Sequence, residues 1–89
     1  MTMKYPPWGN SPVFDWDEYN EGEFWKHRVR DFEVEQCFDQ PYRVAPKTDK
    51  DDQENYYWVN GATAGGRKLL IIIQHLGGCF IRPVTGWDD

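Results

Sequence analysis

The feature of this sequence that most constrains its fold is the apolar run at residues 69–73, which reads LLIII. Arg67 and Lys68 precede the run, and Gln74 and His75 follow it. Five residues are far too few to cross a bilayer, because a membrane-spanning helix needs about 20 apolar residues. β-Branched residues favour strands, and an apolar run without polar alternation is typical of a strand that is buried on both faces. The run therefore predicts the central strand of a small sheet.

A second apolar stretch at residues 79–82 follows a predicted turn at Gly77 and Gly78. The two stretches predict a hairpin in which Arg67 and Arg82 occupy comparable positions on the two arms. Guanidinium groups that converge at one end of a hairpin can bind a phosphate and stabilise negative charge that develops during a reaction. The alternative is that each arginine pairs with a nearby carboxylate, because the chain contains 15 Asp and Glu residues.

The rest of the chain predicts one small α+β domain with an N-terminal arm. Residues 1–12 contain three prolines, which exclude a helix and favour an extended arm, and residues 13–89 form the domain. The expected elements are a strand at 13–16, helices at 18–27 and 32–38, strands at 42–45 and 55–61, and then the hairpin. Consecutive strands that turns connect are antiparallel neighbours. We therefore expect a two-layer α+β fold, with two short helices packed on one face of a mainly antiparallel sheet.

Helices on one face leave the other face of an apolar central strand without a cover. Three alternatives could supply that cover. They are the N-terminal arm docked through Trp8, a second copy of the chain in a homodimer, or a partner protein. The sequence leaves all three alternatives open.

The two histidines are candidates for acid–base chemistry. By strand alternation, His75 shares a face with the odd-numbered residues of the apolar run. It is either a general acid or base, or a strand-end histidine in partial contact with solvent. His27 lies at the C-terminal end of the first predicted helix, where it is either a functional residue or a favourable partner of the helix dipole.

Asp15, Asp17 and Glu18 form an acidic cluster at the start of that helix. A hydrolase that uses paired carboxylates needs a second cluster opposite the first, and the sequence does not indicate one. We therefore interpret Asp17 as the helix N-cap and Glu18 as a negative charge in the first turn.

The charge balance and the cysteines limit the classes of function. The net charge of −5 argues against strong non-specific binding to nucleic acid, although it permits a small basic site or a basic partner. Cys37 and Cys79 fall in apolar surroundings, and the N-terminus lacks the apolar segment of a signal peptide. We therefore expect a cytoplasmic protein with reduced thiols and no membrane association. The cysteines and histidines lack the spacing of metal ligands, so we expect no metal or cofactor.

A series of short motifs resembles the pattern of a known family. Residues 14–18 (FDWDE), with Asn20, Lys26, His27 and Val29, resemble its opening F-x-W-D-E…N…K-H-x-V. Phe38 with Pro41 resembles its V-F-x-D-P stop. Residues 55–61 and 66–72 resemble its R-x-x-x-x-G…G-R-x-L-x-V-V strands, and residues 81–85 (IRPVT) resemble its I-R-I-I-S strand. In this order and spacing, over about residues 13–87, the chain resembles the BrnT-like toxins of BrnT–BrnA toxin–antitoxin pairs.

The resemblance implies a compact RelE-like fold and an intracellular bacterial endoribonuclease. Such a toxin arrests translation by cleaving RNA without a metal, and a small BrnA-like antitoxin neutralises it. Arg67 and Arg82 match family arginines that matter for toxicity. In the implied mechanism a ribose 2′-hydroxyl attacks the adjacent phosphate, while positively charged side chains stabilise the transition state.

Two departures from the family pattern keep a second hypothesis open. Residues 85–87 (TGW) stand where the family has its second arginine, and Arg28 stands where the family has a glycine after the K-H pair. The alternative function is therefore a non-catalytic BrnT-like interaction module that binds a protein partner.

Overall fold

The computed structural model describes residues 6–48 and 55–89, and within these residues the chain forms two helices and five strands. In chain order the elements are β1 (Val13–Phe14), α1 (Glu18–Trp25), α2 (Asp31–Cys37), β2 (Arg43–Pro46), β3 (Tyr56–Ala62), β4 (Lys68–Gly77) and β5 (Phe80–Asp88). The predicted order of helices and strands is confirmed.

The five strands form one sheet in the order β1-β5-β4-β3-β2, so the apolar strand β4 lies at its centre. Strands β2 to β5 are antiparallel neighbours. The exception is β1, which pairs with β5 in parallel, with Val13 opposite Phe80 and Phe14 opposite Ile81. The prediction of an α+β fold with a mainly antiparallel sheet is confirmed.

Helix α1 begins with the predicted cap. The carboxylate of Asp17 accepts hydrogen bonds from the backbone N–H groups of Tyr19 and Asn20, both at 3.0 Å. The side chain of Asn20 accepts in return from the backbone N–H of Asp17 at 2.8 Å, which completes a capping box. The helix ends at Trp25, two residues before the predicted end.

Helix α2 begins one residue earlier than predicted. Arg30 occupies the N-cap position, and Asp31, which precedes the predicted helix at 32–38, is the first helical residue. The carboxylate of Glu33 accepts a hydrogen bond from the backbone N–H of Arg30 at 3.0 Å, which satisfies one of the free donors at this helix end.

The hydrophobic core lies between the helices and one face of the sheet. Its fully buried side chains are Phe24, Val29, Val34, Cys37, Val59, Leu69, Ile71, Ile73 and Ile81. Burial alternates along β4, because Leu70 and Ile72 are only half-buried. The prediction that β4 is buried on both faces is therefore wrong, since the helices cover one face only.

We call the opposite face of the sheet the open face. Its half-buried residues include Tyr56, Trp58, Leu70, Ile72, Thr85 and Trp87. The rings of Trp58 and Trp87 are in contact, with centroids 6.3 Å apart.

Residues 6–12, the described part of the N-terminal arm, extend the core and do not cover the open face. Trp8 is 2% exposed, and its indole N–H donates to the hydroxyl of Tyr42 at 2.9 Å. Its ring packs edge-on against Tyr57 and Phe38, on the helix side of the sheet. The predicted docking through Trp8 thus takes place on the covered face. Residues 1–5 of the predicted arm lie outside the described residues.

Strand β5 is much longer than the predicted stretch at residues 79–82, since residues 83–88 continue the strand. A register shift between Ile72 and Ile73 inserts one extra residue on β5 after Pro83, which marks a β-bulge. Gly86 then brings the strand close to α1. A Cβ atom at this position would lie 2.7 Å from Cε1 of Phe24 and 2.9 Å from the carbonyl oxygen of Leu70.

Candidate functional site

Arg67 lies just before β4, on the helix side of the sheet. Its Nε donates to Asp88 Oδ1 at 2.6 Å, and its Nη1 donates to both carboxylate oxygens of Glu33 at 3.1 Å. Nη1 also donates to the carbonyl of Arg28 at 2.9 Å, and Nη2 donates to Asp88 Oδ2 at 3.1 Å. Every nitrogen of this guanidinium is therefore bonded to an acceptor of the protein. We call this group the Arg67 clamp.

The Arg67 clamp shifts the pKa of Arg67 and of Asp88. The hydrogen bond to Asp88 is the largest cause that raises the pKa of Arg67, and Glu33 adds to it against the effect of desolvation. The same hydrogen bond lowers the pKa of Asp88 below its ordinary value. Both groups stay ionised at neutral pH, and a phosphate would have to displace two carboxylates from Arg67.

Arg82 lies on β5 and bonds two carboxylates of the segment between β1 and α1. Its Nη1 donates to Asp15 Oδ2 at 3.1 Å, and its Nη2 donates to Asp17 Oδ2 at 2.9 Å. Asp17 thus caps α1 with one oxygen and binds Arg82 with the other. We call this group the Arg82 clamp. The predicted role of Asp17 as N-cap is correct, and the cluster of Asp15 and Asp17 has this second role as well.

The Arg82 clamp shifts the pKa of Arg82 and of Asp17. Desolvation lowers the pKa of Arg82, but the hydrogen bonds and charges of Asp17 and Asp15 together outweigh it and raise the pKa. The backbone N–H of Asn20 is the largest cause that lowers the pKa of Asp17, and Arg82 adds to it.

The structure does not bring Arg67 and Arg82 together, so the predicted shared phosphate site is wrong. Arg82 is opposite Gln74, which lies seven residues beyond Arg67 on the neighbouring strand. At about 3.3 Å per residue, the two backbones are separated by roughly 23 Å along the sheet. The side chains also lie on opposite faces. Arg67 bonds to Glu33 of α2, whereas Arg82 follows the core residue Ile81 and therefore points to the open face.

The two histidines lie in different parts of the fold, and the carbonyl of His27 accepts a hydrogen bond from Arg67 Nη2 at 3.5 Å. His75 lies on the core side of β4, as predicted, where its ring contacts Trp8. Its Nε2 is 2.7 Å from the carbonyl of Gly78, which can only accept, so this nitrogen carries the proton. His27 lies beyond the end of α1, and its ring packs on Trp87 at 5.7 Å.

A shallow cleft of about 350 Å³ lies beside Arg82 at the rim of the open face. Its walls include Tyr19, Glu23, Tyr56, Gln74 and Thr85. We did not predict the tyrosines as site residues, because Tyr19 is on α1 and Tyr56 on β3, and only the tertiary fold joins them. Tyr19 is 77% exposed, whereas Asn20 and Phe24 of the same helix are buried, and this exposure is visible only in the structure.

No protein-family model matches this chain, and no curated protein matches it either. Among the described residues, no helix is long and apolar enough to cross a membrane. The function is therefore argued from the geometry above.

Proposed function

We propose that this chain is a non-catalytic interaction module with a BrnT-like fold, and that it binds a small protein partner in the cytoplasm. The observation that carries the proposal is the ion pairing of both candidate catalytic arginines. Arg67 and Arg82 each bond two carboxylates, and they lie roughly 23 Å apart on opposite faces of the sheet. A transition state of phosphoryl transfer needs convergent cations that are not already neutralised.

Two features support the BrnT-like, and hence RelE-like, part of the proposal. The motifs that carry the resemblance fall on successive elements, from the capping box of α1 to the strand that contains Arg82. The family's glycine after the K-H pair falls on Arg28, whose φ of 59° lies in the left-handed region that favours glycine. A partner of such a module is expected to be a small, BrnA-like antitoxin.

Induced expression in bacteria tests the non-catalytic proposal. We expect the wild-type chain to leave growth and cellular RNA intact, as would the variants Arg67→Ala and Arg82→Ala. Soluble protein is quantified in each culture so that loss of folding is recognised. Growth arrest with RNA cleavage by the wild-type chain, lost in a variant that remains folded, would overturn the proposal.

A second candidate function is the metal-independent endoribonuclease that the family resemblance implies. The observation that favours it is the cleft beside Arg82, where a partly exposed cation lies between Tyr19 and Tyr56. Aromatic rings next to a cation can bind the bases and backbone of single-stranded RNA. The same expression experiment separates the two functions, because a nuclease at this cleft would depend on Arg82 and Tyr19 and far less on Arg67.

A further inference from the structure

We propose that the edge of strand β2 binds an extended segment of the partner protein, and that this segment places one large apolar side chain in a pocket beside Val44. The inference rests on the proposed function and names the surface and the chemistry of its partner. It starts from the position of β2 at one margin of the sheet. In the order β1-β5-β4-β3-β2, this strand pairs with β3 on one side only.

The backbone groups of β2 are divided between β3 and the outer edge. The N–H of Lys47 donates to the carbonyl of Tyr56 at 2.8 Å, and the same register pairs Ala45 with Trp58. In an antiparallel ladder, residues that bond to the neighbouring strand alternate with residues that do not. The N–H and the C=O of Val44 therefore point away from β3.

Three backbone groups make up this outer edge, which we call the β2 edge. They are the N–H and C=O of Val44 and the C=O of Pro46, which follows the same alternation and has no N–H. No backbone group of the described residues bonds to these three. Such unpaired groups are a template for another strand, and Pro46 restricts the pairing to a short segment.

A pocket of about 290 Å³ lies beside the β2 edge, with Val44 in its wall. Val44 is the register partner of the core residue Val59, so the pocket is on the helix side of the sheet. The other walls are Pro6, Asn10, Phe38, Pro41 and Tyr42. Apart from Asn10, these residues are apolar or aromatic, so the pocket suits an apolar side chain.

The β2 edge and the pocket are in register with each other. A docked strand lies about 4.8 Å from its neighbour, and residues opposite each other on two strands point to the same face. The partner residue opposite Val44 therefore lies at the unpaired groups of Val44 and points its side chain towards the pocket side. Edge hydrogen bonds combined with pockets for alternate side chains are a general mode of recognising extended peptides.

A second copy of the chain is a poorer occupant of the β2 edge. If two β2 strands paired around Val44, the Val44 side chain of the other copy would face the pocket. That side chain already packs against its own core, so the pocket would stay empty. Pro46 of the other copy would supply no N–H. Self-association is therefore an outcome of the test and not the proposal.

Selection from a displayed library of linear peptides of about nine residues tests the inference. Peptides are selected on the folded full-length chain, and we expect them to share one large apolar residue. A selected peptide is then synthesised with a backbone N-methyl group at each position in turn, which removes one donor and keeps the side chain. Affinity should fall roughly tenfold at alternate positions and change little at the positions between them.

The variants Asn10→Glu and Ser11→Glu test the pocket. Both residues are exposed neighbours, and of the two only Asn10 lines the pocket. A carboxylate next to a buried apolar side chain loses hydration. Asn10→Glu should therefore weaken peptide binding roughly tenfold, whereas the control Ser11→Glu should leave it unchanged. Melting temperatures of both variants verify that they are folded.

Amide hydrogen exchange locates the peptide on the β2 edge. In the free protein the N–H of Val44 should exchange faster than those of Ala45 and Lys47, which face β3. When the peptide binds, the Val44 N–H should become protected, because it gains a carbonyl acceptor.

Four results would overturn the inference. They are a selection that yields no peptide, an N-methyl scan without alternation, equal affinity for the two glutamate variants when both are folded, and a Val44 N–H that is already protected in the free protein. In the last case, a dimer would assign the β2 edge to a second copy, and a monomer would show that the chain itself covers it. None of these outcomes depends on growth arrest or RNA cleavage, so failure of the proposed function is recognised separately.

Discussion

At the scale of the residue, the two clamps show how one arginine can join several elements of the fold. Arg67 joins the start of β4 to α2 through Glu33 and to the end of β5 through Asp88. Arg82 joins β5 to the β1–α1 connection through Asp15 and Asp17. A planar guanidinium with five donors can serve several acceptors at once, which lysine cannot do in the same geometry.

We predict that Arg67→Ala lowers the free energy of unfolding by about 1–3 kcal/mol, because the substitution removes the guanidinium that donates to Glu33, Asp88 and two carbonyls. Urea denaturation followed by fluorescence measures the change. Lys26→Ala is the control, since Lys26 pairs with Glu23 at a well-exposed position and should matter by less than about 0.5 kcal/mol. Equal midpoints for the two variants would contradict the structural role of the Arg67 clamp.

At the scale of the element, local patterns predicted the types and order of helices and strands. The N-cap at Asp17 predicted the start of α1, and the apolar run predicted that β4 lies at the centre of the sheet. The length of β5 could not be predicted in this way, because Pro83 and Gly86 usually interrupt strands. Here the bulge after Pro83 and the close approach of Phe24 to Gly86 make both residues compatible with the ladder.

Gly86→Ala should destabilise the chain by about 1–3 kcal/mol, because the new methyl group would collide with Phe24 and with backbone atoms of β4. Gly22→Ala is the matched control. A Cβ at Gly22 meets no atom within 4 Å, and alanine favours the helix, so this change should stabilise by about 0.5–1 kcal/mol. Thermal melts of both variants measure the difference. A Gly86→Ala protein as stable as wild type would show that the contact of Gly86 with α1 is not tight.

At the scale of the whole molecule, the register of the strands determines on which face and at which end of the sheet Arg67 and Arg82 lie. Arg67 and Arg82 both flank β-strands in the sequence, which made a shared site a reasonable prediction. Side chains alternate between the two faces along a strand, and Arg82 is opposite Gln74, seven residues beyond Arg67. The two arginines therefore lie on opposite faces and at opposite ends of the sheet. Neither the bulge nor the parallel pairing of β1 has a local signal in the sequence, so the candidate site could be predicted only as a set of residue types.

The two clamps together predict a loss of stability in acid. The pKa values of Asp17 and Asp88 lie below the ordinary 3.8 in the folded protein. The unfolded chain therefore binds more protons in this range. The stability that these groups contribute is complete above about pH 4 and is lost as the pH falls through the folded pKa values.

Melting temperatures between pH 7 and pH 2.5 measure this loss. Asp17→Asn keeps a capping oxygen and removes the titrating group, so its decline below pH 4 should be shallower than that of wild type. Asp39→Asn, at an exposed aspartate outside both clamps, is the control. If Asp17→Asn and wild type decline in parallel, the Arg82 clamp does not contribute to acid sensitivity.

The parallel pairing of β1 with β5 has a consequence for the synthesis of this protein. Val13 pairs with Phe80, which is 67 residues further along the chain. Because a ribosome makes β1 first and β5 last among these strands, β1 has no neighbour in the sheet until almost all of the domain has emerged. The β1–β5 pairing, which joins the N-terminal segment to the sheet, can therefore form only after β5 has been synthesised.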